Sequence, residues 1–224
     1  KRFVFLGSSC IYPKFAANPI REESLLSGEL EKTNESYALA KIAGIKMCKA
    51  LRDQYGFDAI SLMPSNLYGP GDNYHPTNSH VMASFIRKFF LAKKDSTHKV
   101  TCWGSGKALR EFLHVYDLAS AIIFALEYWC PSDINAPKDA NGDPLYVLNV
   151  GSGKEISIKD LSNKVAKAFL FKGSIDWDLS KPDGTPRKKL DVSRLSKMGW
   201  DAKIKLDIGI EQTISELYKN NNFQ

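Results

Sequence analysis

The chain opens with KRFVFLGSS (residues 1–9), an apolar run that ends in glycine and serine. Such a run is typical of a buried strand in a parallel sheet, with a functional loop at its carboxyl end. Strand-like and helix-like stretches alternate downstream: a helix at 34–55, strand and turn at 57–71, a helix at 79–93, a strand at 100–103 and a helix at 115–129. This alternation predicts an α/β fold built on a doubly wound parallel sheet.

The remainder of the chain continues the pattern. We predict a polar surface loop at 131–144, a helix at 158–171, a strand at 175–177, a basic segment at 180–189 and a last helix at 206–219. The helix at 34–55 is expected to start at Thr33 or Asn34 and to end near Gly56. Its apolar stripe is formed by Ala40, Ala43, Met47, Ala50 and Leu51.

Composition excludes several classes of protein. With 43% hydrophobic and 25% charged residues, the 224-residue chain is typical of a globular enzyme. No apolar run approaches the roughly 18 residues of a membrane span, and no cleavage-site pattern follows the first strand, so we expect a cytoplasmic protein without membrane partners. The four cysteines lack metal-ligand spacing and imply neither a metal site nor disulfides.

The net charge of +6 does not by itself indicate nucleic acid. Lysines and arginines are spread along the chain, and no recognition motif accompanies them. An anionic small substrate explains the excess equally well.

Tyr37 and Lys41 lie one helical turn apart on one face of the predicted helix, so the ammonium can approach the phenol. Such a pair can deliver a proton to a developing alkoxide. A surface tyrosine beside a solvated lysine has the same spacing, so the pair alone is weak evidence. Ser8 and Ser9 strengthen it, because they follow a strand at its carboxyl end, where ligands bind in open α/β sheets.

A serine after a strand, followed by Tyr-x-x-x-Lys on a helix, resembles the extended short-chain dehydrogenase/reductase family. Five longer blocks are similar to its GDP-L-fucose synthase members: FLGSSCIYPK (5–14), YALAKIAGIKMC (37–48), MPSNLYGPGDNYHPTNSHV (63–81), WGSGKALREFLHVYDLA (103–119) and KPDGTPRKKLDVSRL (181–195). The resemblance implies a Rossmann-like fold, a homodimer and an NADPH-dependent enzyme. Its reaction would be 3,5-epimerisation and 4-reduction of GDP-4-keto-6-deoxy-D-mannose.

The resemblance also implies catalytic and cofactor-binding residues. Ser8 would polarise the carbonyl, Tyr37 would deliver a proton, and Lys41 would hold the nicotinamide ribose. Cys10 and His80 would transfer protons at carbon. Taken alone, Cys10 is more typical of a small buried hydrophobic residue, and a lone histidine at the start of a helix is usually a capping or surface residue. The residues that would bind NADP(H) are Tyr37, Lys41, Pro64, Ser65, Asn66, Leu67 and His80.

For the GDP-sugar, the resemblance implies Lys88, Trp103, Arg110, Asp183 and Lys188. Ammonium and guanidinium groups suit the phosphates, and the indole offers a flat apolar surface. A solvated loop and a core tryptophan are the ordinary alternatives for the basic segment and for Trp103.

One feature departs from the family pattern. The sequence contains no Gly-rich turn between a strand and a helix, which is where such folds bind the pyrophosphate. We therefore expect a sheet that is incomplete at its N-terminus, and weak NADPH binding by these residues alone. Residues 1–70 are assigned to the NADP-binding domain, which returns in part within 111–150. Residues 71–110 and 151–224 are assigned to a smaller C-terminal α/β domain for the GDP-sugar.

Two other functions stay open. One is a different nucleotide-sugar epimerase, reductase or dehydratase of the same family, which Cys10 and His80 would distinguish. The other is a non-catalytic fragment that binds a GDP-sugar.

Overall fold

The structure is a computed structural model that describes residues 1–220. Its strands are β1 (Phe3–Leu6), β2 (Ala59–Pro64), β3 (Asn66–Tyr68), β4 (Lys99–Trp103), β5 (Leu109–His114), β6 (Val147–Val150), β7 (Glu155–Ser157), β8 (Ser174–Asp178) and β9 (Arg187–Lys188). Its α-helices are α1 (Glu35–Tyr55), α2 (Val81–Lys94), α3 (Val115–Tyr128), α4 (Ile158–Ala168), α5 (Ser193–Lys197) and α6 (Leu206–Asn220). Short 3-10 turns cover Ser9–Ile11, Glu22–Ser24 and Lys32–Asn34.

The main sheet is parallel and has the strand order β1-β2-β6. Leu6 pairs with Leu62, and Pro64 pairs with Val150, so the strands end at one edge of the sheet. This arrangement confirms the predicted doubly wound, Rossmann-like α/β fold. A second sheet has the order β3-β5-β7 with β9 also paired to β5, and β4 pairs in parallel with β8.

The buried strand predicted at residues 1–9 is shorter and less buried than expected. β1 covers only Phe3–Leu6, and its residues are exposed or half-buried, whereas every residue of β2 is buried. The reason is position, because β2 has a neighbouring strand on both sides while β1 is at the edge of the described sheet. Apolar composition alone cannot distinguish the two positions.

The described chain divides into two compact units. Unit 1 contains 1–66, 111–154 and 188–203, and unit 2 contains 67–110, 155–187 and the residues from 204 onward. The segment 188–203 therefore packs with unit 1, whereas the sequence-based division grouped it with the C-terminal residues.

Helix α1 has the predicted ends, but its buried face is not the predicted one. It follows Asn34 and ends at Gly56, which adopts the left-handed conformation (φ 64°) that a glycine tolerates without strain. Its buried residues are Ala38, Ile42, Ile45 and Cys48. The predicted stripe is largely exposed: Ala40, Ala43, Met47 and Ala50 face outward, and Leu51 is half-buried. Two apolar stripes coexist on this helix, and only one covers its own sheet.

The remaining predicted elements are present with small shifts. The helix predicted at 158–171 ends at Ala168, because Leu170 has a positive φ of 56° that interrupts the helical backbone. β5 was not predicted, since its buried residues include the polar Glu111 and His114, which do not read as an apolar strand. Within residues 1–220, no helix is long and apolar enough to cross a membrane.

Candidate active site

Two glycines allow α1 and β2 to approach the end of β1 closely. A Cβ placed on Gly44 of α1 would lie 2.3 Å from the ring of Phe5, and one placed on Gly7 would lie 2.4 Å from the sulfur of Met63. No larger side chain fits either position without displacing its neighbour. The third turn of α1, which carries Gly44, consequently packs directly on β1.

Lys41 joins the helix to that strand end. Its Nζ donates a hydrogen bond of 2.9 Å to the main-chain oxygen of Leu6, the last residue of β1. The same nitrogen lies 5.7 Å from the ring centroid of Tyr37 and 5.4 Å from that of Phe5. Tyr37 itself is 50% exposed. The predicted pair is thus in contact, with the tyrosine open to a ligand and the lysine held in place.

Ser8 is oriented by the turn that follows it. It caps the 3-10 turn Ser9–Ile11, and its Oγ accepts a hydrogen bond of 3.2 Å from the main-chain nitrogen of Cys10. Because that bond uses a lone pair of the oxygen, the hydroxyl hydrogen is left to donate elsewhere. A fixed hydroxyl donor is what the polarisation of a substrate carbonyl requires.

The structure brings Cys10 together with Lys188, two residues far apart in the sequence. Both side chains are half-buried, and the ammonium nitrogen of Lys188 donates to the sulfur of Cys10 at 3.5 Å. The resemblance assigned these residues to different tasks, proton transfer for the cysteine and substrate binding for the lysine.

The cofactor-binding residues predicted after β2 include one buried polar atom without a partner. Ser65 donates its main-chain N–H to Val150 over 2.9 Å, but among residues 1–220 nothing hydrogen-bonds to its buried Oγ. Asn66 is fixed by a bond of 2.7 Å from its side-chain nitrogen to the main-chain oxygen of Glu111. A buried hydroxyl usually has a partner. The unpartnered hydroxyl of Ser65 therefore fits a polar ligand, as expected of a cofactor-binding residue.

Glu111 is a central residue of unit 1 that the sequence did not indicate. It is completely buried, and its carboxylate accepts hydrogen bonds from the main-chain nitrogens of Gly153 (2.6 Å) and Leu190 (2.9 Å). Burial raises the pKa of this carboxyl group, and the two backbone N–H groups oppose that effect by stabilising the anion. Glu111 thereby attaches the segment around Leu190 to the loop after β6. No sequence signal marks it, since a lone glutamate is normally a surface residue.

In unit 2, Trp103 is an exposed aromatic surface between two cations. Its side chain is 58% exposed, and the ammonium nitrogens of Lys88 and Lys181 lie 5.6 Å and 5.5 Å from its ring centroid. Lys88 is also anchored by a bond of 2.7 Å to the main-chain oxygen of Thr101. The indole is thus not a core residue, and its surroundings are positively charged.

Asp183 is also in unit 2 and is tied to a neighbouring loop. Its carboxylate accepts hydrogen bonds from the main-chain nitrogen (2.6 Å) and the hydroxyl (2.7 Å) of Ser105. The hydrogen bonds from Ser105 lower the pKa of Asp183, with smaller effects from Lys107 and Arg110. Two of the predicted substrate-binding residues, Arg110 and Asp183, therefore lie near each other within this unit.

His80 lies one residue before α2, which begins at Val81 and not at Ser79 as expected, and its side chain does not cap the helix. The exposed imidazole lies near Asp72: burial raises the pKa of Asp72, while the N–H of Asn73 and the positive charge of His80 oppose that effect. Burial and the charge of Asp72 raise the pKa of Tyr74 to about 12. The sequence indicated His80 but not its acidic neighbour.

Comparisons with known proteins identify a matching family and several relatives. Residues 1–136 match the NAD dependent epimerase/dehydratase family. The chain is 53% identical, over 98% of its length and 63% of the relative's, to a probable GDP-L-fucose synthase 1 of Oryza sativa subsp. japonica. It is 46% identical to the GDP-L-fucose synthase of Escherichia coli K12, covering 99% of this chain and 68% of that one.

A solved structure is also similar. A GDP-D-glycero-L-gluco-heptose synthase from Campylobacter jejuni, determined in the presence of NADPH, superimposes with a TM-score of 0.85 at 33% identity, over 98% of this chain and 71% of the other. The chain thus spans roughly two thirds of the length of each of these proteins.

Proposed function

Because the chain belongs to the NAD dependent epimerase/dehydratase family, we propose that its protein converts GDP-4-keto-6-deoxy-D-mannose to GDP-L-fucose by 3,5-epimerisation and NADPH-dependent 4-reduction. The observation that carries the proposal is the set of Ser8, Tyr37 and Lys41 at the end of β1, with Cys10 one turn from the serine. The named relatives at 46% and 53% identity support the choice of substrate.

In the reduction, the hydroxyl of Ser8 donates a hydrogen bond to the 4-keto oxygen and so polarises the carbonyl. The hydride for this step comes from bound NADPH. Tyr37 then delivers its phenolic proton to the oxygen that has become an alkoxide, and the ammonium of Lys41 stabilises the resulting phenolate. The bond from Lys41 to Leu6 keeps the ammonium beside Tyr37 throughout.

In the epimerisation, the same polarised ketone makes the neighbouring C–H bonds acidic, because the electron pair released by the carbon moves onto the ketone oxygen. Cys10 is proposed to remove or return a proton at these carbons, and His80 to serve as its counterpart on the opposite face.

Unit 2 is proposed to bind the GDP part. Trp103 offers a flat surface for the guanine, and Lys88 and Lys181 beside it supply positive charge. Arg110 suits a phosphate, and Asp183 can accept hydrogen bonds from guanine or ribose. Unit 1 is proposed to bind NADP(H) through Tyr37, Lys41 and Ser65.

We also infer a homodimer. Two helices of unit 1 expose apolar side chains that their own sheet does not use, Leu39 and Met47 on α1 and Ile123 and Tyr128 on α3. Exposed apolar stripes on neighbouring helices are typical of a subunit interface. A second copy of the chain would cover them.

The experiment separates the two chemical steps. The protein is incubated with the keto sugar in heavy water without NADPH, and deuterium at carbons 3 and 5 is followed by NMR; NADPH is then added and its oxidation is followed by absorbance. The proposal expects exchange before reduction, and loss of exchange in both Cys10→Ser and His80→Asn. A protein that oxidises NADPH with the sugar but never exchanges these protons would instead be a reductase without epimerase activity.

A different GDP-sugar is the alternative substrate, which the likeness to the heptose synthase favours. Both sugars carry a GDP group, so the residues proposed to bind GDP in unit 2 do not distinguish them. Competition between a GDP-4-keto-heptose and the 6-deoxy sugar, measured as kcat/KM, decides between them.

A further inference from the structure

Lys188 directs its ammonium at a thiol. Its nitrogen lies 3.5 Å from the sulfur of Cys10, within the range of a hydrogen bond to sulfur. An ammonium group has donors and no acceptor, so the sulfur must be the acceptor. A sulfur that accepts from a cation is stabilised as the thiolate, which is the form that acts as a base.

In the described part of the chain, Lys188 forms no ion pair with an acidic side chain. Among residues 1–220, the ion pairs of unit 1 involve other cations, including Arg2, Lys14, Arg52 and Arg194. Within residues 1–220, this ammonium donates its hydrogen bond to the sulfur of Cys10.

The backbone on the C-terminal side of Lys188 is fixed at several points. The N–H of Leu190 is bound by the buried carboxylate of Glu111, and the N–H of Lys189 by the side-chain oxygen of Asn18 at 2.9 Å. Ile20 donates its N–H to the main-chain oxygen of Lys189 at 2.8 Å.

Cys10 is fixed from its own side. Its N–H is bound by Ser8 within the 3-10 turn. Tyr12, two residues further on, is buried and donates to the side-chain oxygen of Asn149 at 2.7 Å. The same Asn149 donates to the main-chain oxygen of Asp191, which belongs to the segment of Lys188, and to that of Ile20, which is hydrogen-bonded to this segment. One buried amide therefore joins the two segments that carry the thiol and the ammonium.

We propose that Lys188 is a positioning residue for the epimerisation, which holds Cys10 as a thiolate. This inference rests on the proposed function for its chemical step and deepens it. In that step the C–H bond next to the ketone breaks, an S–H bond forms on Cys10, and the electron pair stays on the substrate as an enolate. An acid on the opposite face, for which His80 is the candidate, reprotonates the carbon, and the thiol proton is released to solvent to restore the thiolate.

The ammonium of Lys188 can donate to Cys10 and to a substrate at the same time. It has three N–H donors, and the contact with sulfur uses one of them. The role for Lys188 in substrate binding is therefore compatible with its role toward Cys10.

The test measures the thiol without any sugar. Alkylation of Cys10 by iodoacetamide is followed by mass spectrometry across pH in the parent protein and in Lys188→Met, Lys188→Arg and Lys138→Met. Lys138 is an exposed lysine in the loop after α3. Lys138→Met therefore also removes one positive charge from unit 1, but at a different place. The unfolding temperature of each variant identifies loss of the fold.

We expect Lys188→Met to alkylate about tenfold more slowly at neutral pH and to reach full reactivity only at higher pH, because the thiol ionises less readily without the cation. Lys188→Arg and Lys138→Met should follow the parent curve. Superimposable curves for the parent and Lys188→Met would overturn the inference. If Lys188→Met is unstable, Lys188→Gln provides the same comparison.

A second readout separates this inference from the proposed function. Deuterium exchange into the keto sugar should slow in Lys188→Met and shift to higher pH, and Lys188→Arg should restore it. If Lys188→Met alters the alkylation of Cys10 but the parent protein exchanges no sugar protons, the Lys188–Cys10 inference stands and the proposed epimerase activity is wrong.

Discussion

The ammonium of Lys41, in the second turn of α1, hydrogen-bonds to the main-chain oxygen of Leu6 at the end of β1 over 2.9 Å. This bond fixes the position of the helix along the strand, so Tyr37, one turn earlier, lies near the loop that carries Ser8 and Cys10. The close approach depends on Gly44, which leaves room for the ring of Phe5. The hydrogen bond from Lys41 to the backbone of β1 therefore also positions Tyr37 for its proposed proton transfer.

Replacing Tyr37 with phenylalanine should remove the reduction but not the epimerisation. The phenol is the proposed proton donor to the alkoxide, and general acids commonly contribute about 10²–10⁴-fold to the rate. NADPH oxidation should fall by that factor while deuterium exchange into the sugar continues. Tyr55→Phe, at the far end of the same helix, is the matched control. NADPH oxidation at the parent rate in the Tyr37 variant would assign the proton transfer to another group.

Gly44→Ala should destabilise the protein although alanine is the better helix former. In an exposed helix the change would stabilise by up to about 1 kcal/mol, but here the new methyl group would meet the ring of Phe5. Overpacking of this kind costs about 1–3 kcal/mol. Urea denaturation measures the net loss. The double variant Gly44→Ala/Phe5→Leu should recover part of the stability, and an increase in stability in the single variant would contradict the close packing.

Arg194→Met should destabilise unit 1, and the loss should shrink as the pH falls. Arg194 donates to Glu22, which is buried, and to Glu23. Removal of one partner of a buried ion pair costs about 3 kcal/mol, because the other charge stays buried. Urea denaturation at several pH values measures the difference.

The sign of this pH dependence follows from Glu22. Burial already raises the pKa of Glu22, and Arg194 opposes that rise. Without Arg194 the folded-state pKa rises further, so the folded variant binds a proton that the unfolded chain does not. Its deficit is then largest above the folded pKa and diminishes as the pH falls from there toward the ordinary glutamate range. Glu23→Gln is the control, because Arg194 lowers the pKa of that more exposed carboxyl and this variant removes its contribution. A stability loss in Arg194→Met that does not depend on pH would exclude protonation of Glu22.

Trp103→Ala should weaken GDP binding about tenfold, since stacking of a base on an aromatic ring contributes about 1–3 kcal/mol. Titration calorimetry with GDP measures the effect. Trp103→Phe keeps a flat ring and should retain most of the affinity. Equal affinity in the parent and the alanine variant would show that the guanine does not stack on this residue.

Met47→Glu should weaken self-association. Met47 is 63% exposed on the outer stripe of α1, and a buried unpaired carboxylate at a subunit interface is strongly unfavourable. Sedimentation velocity should show a dimer for the parent and a concentration-dependent mixture for the variant. Ile134→Glu changes an 86% exposed apolar residue in the loop after α3 and should leave the dimer intact. A monomeric parent would exclude the proposed interface.

Part of the site was accessible from sequence patterns because it is local. Tyr37 and Lys41 are four residues apart, so the helical repeat brings their side chains together. The hydroxyl of Ser8 accepts a hydrogen bond from the main-chain nitrogen of Cys10, two residues away. The end of α1 was equally predictable, since Gly56 supplies the left-handed residue that stops a helix.

Other features depended on which surfaces the fold covers. Both apolar stripes of α1 have helical spacing, and only the sheet decides that the one with Ile42 and Ile45 is buried while the one with Met47 is exposed. Local sequence carries no information on that choice.

By itself, the sequence determined the alternation of strands and helices, the parallel sheet and the tyrosine–lysine pair, because these depend on periodicity and on residues close along the chain. Only the tertiary structure decided that the ammonium of Lys188 meets the sulfur of Cys10 and that the carboxylate of Glu111 binds the N–H of Leu190. These contacts join residues separated by 178 and 79 positions. Their partners are selected by the packing of the whole unit and by the need to satisfy buried polar groups, neither of which a local pattern contains.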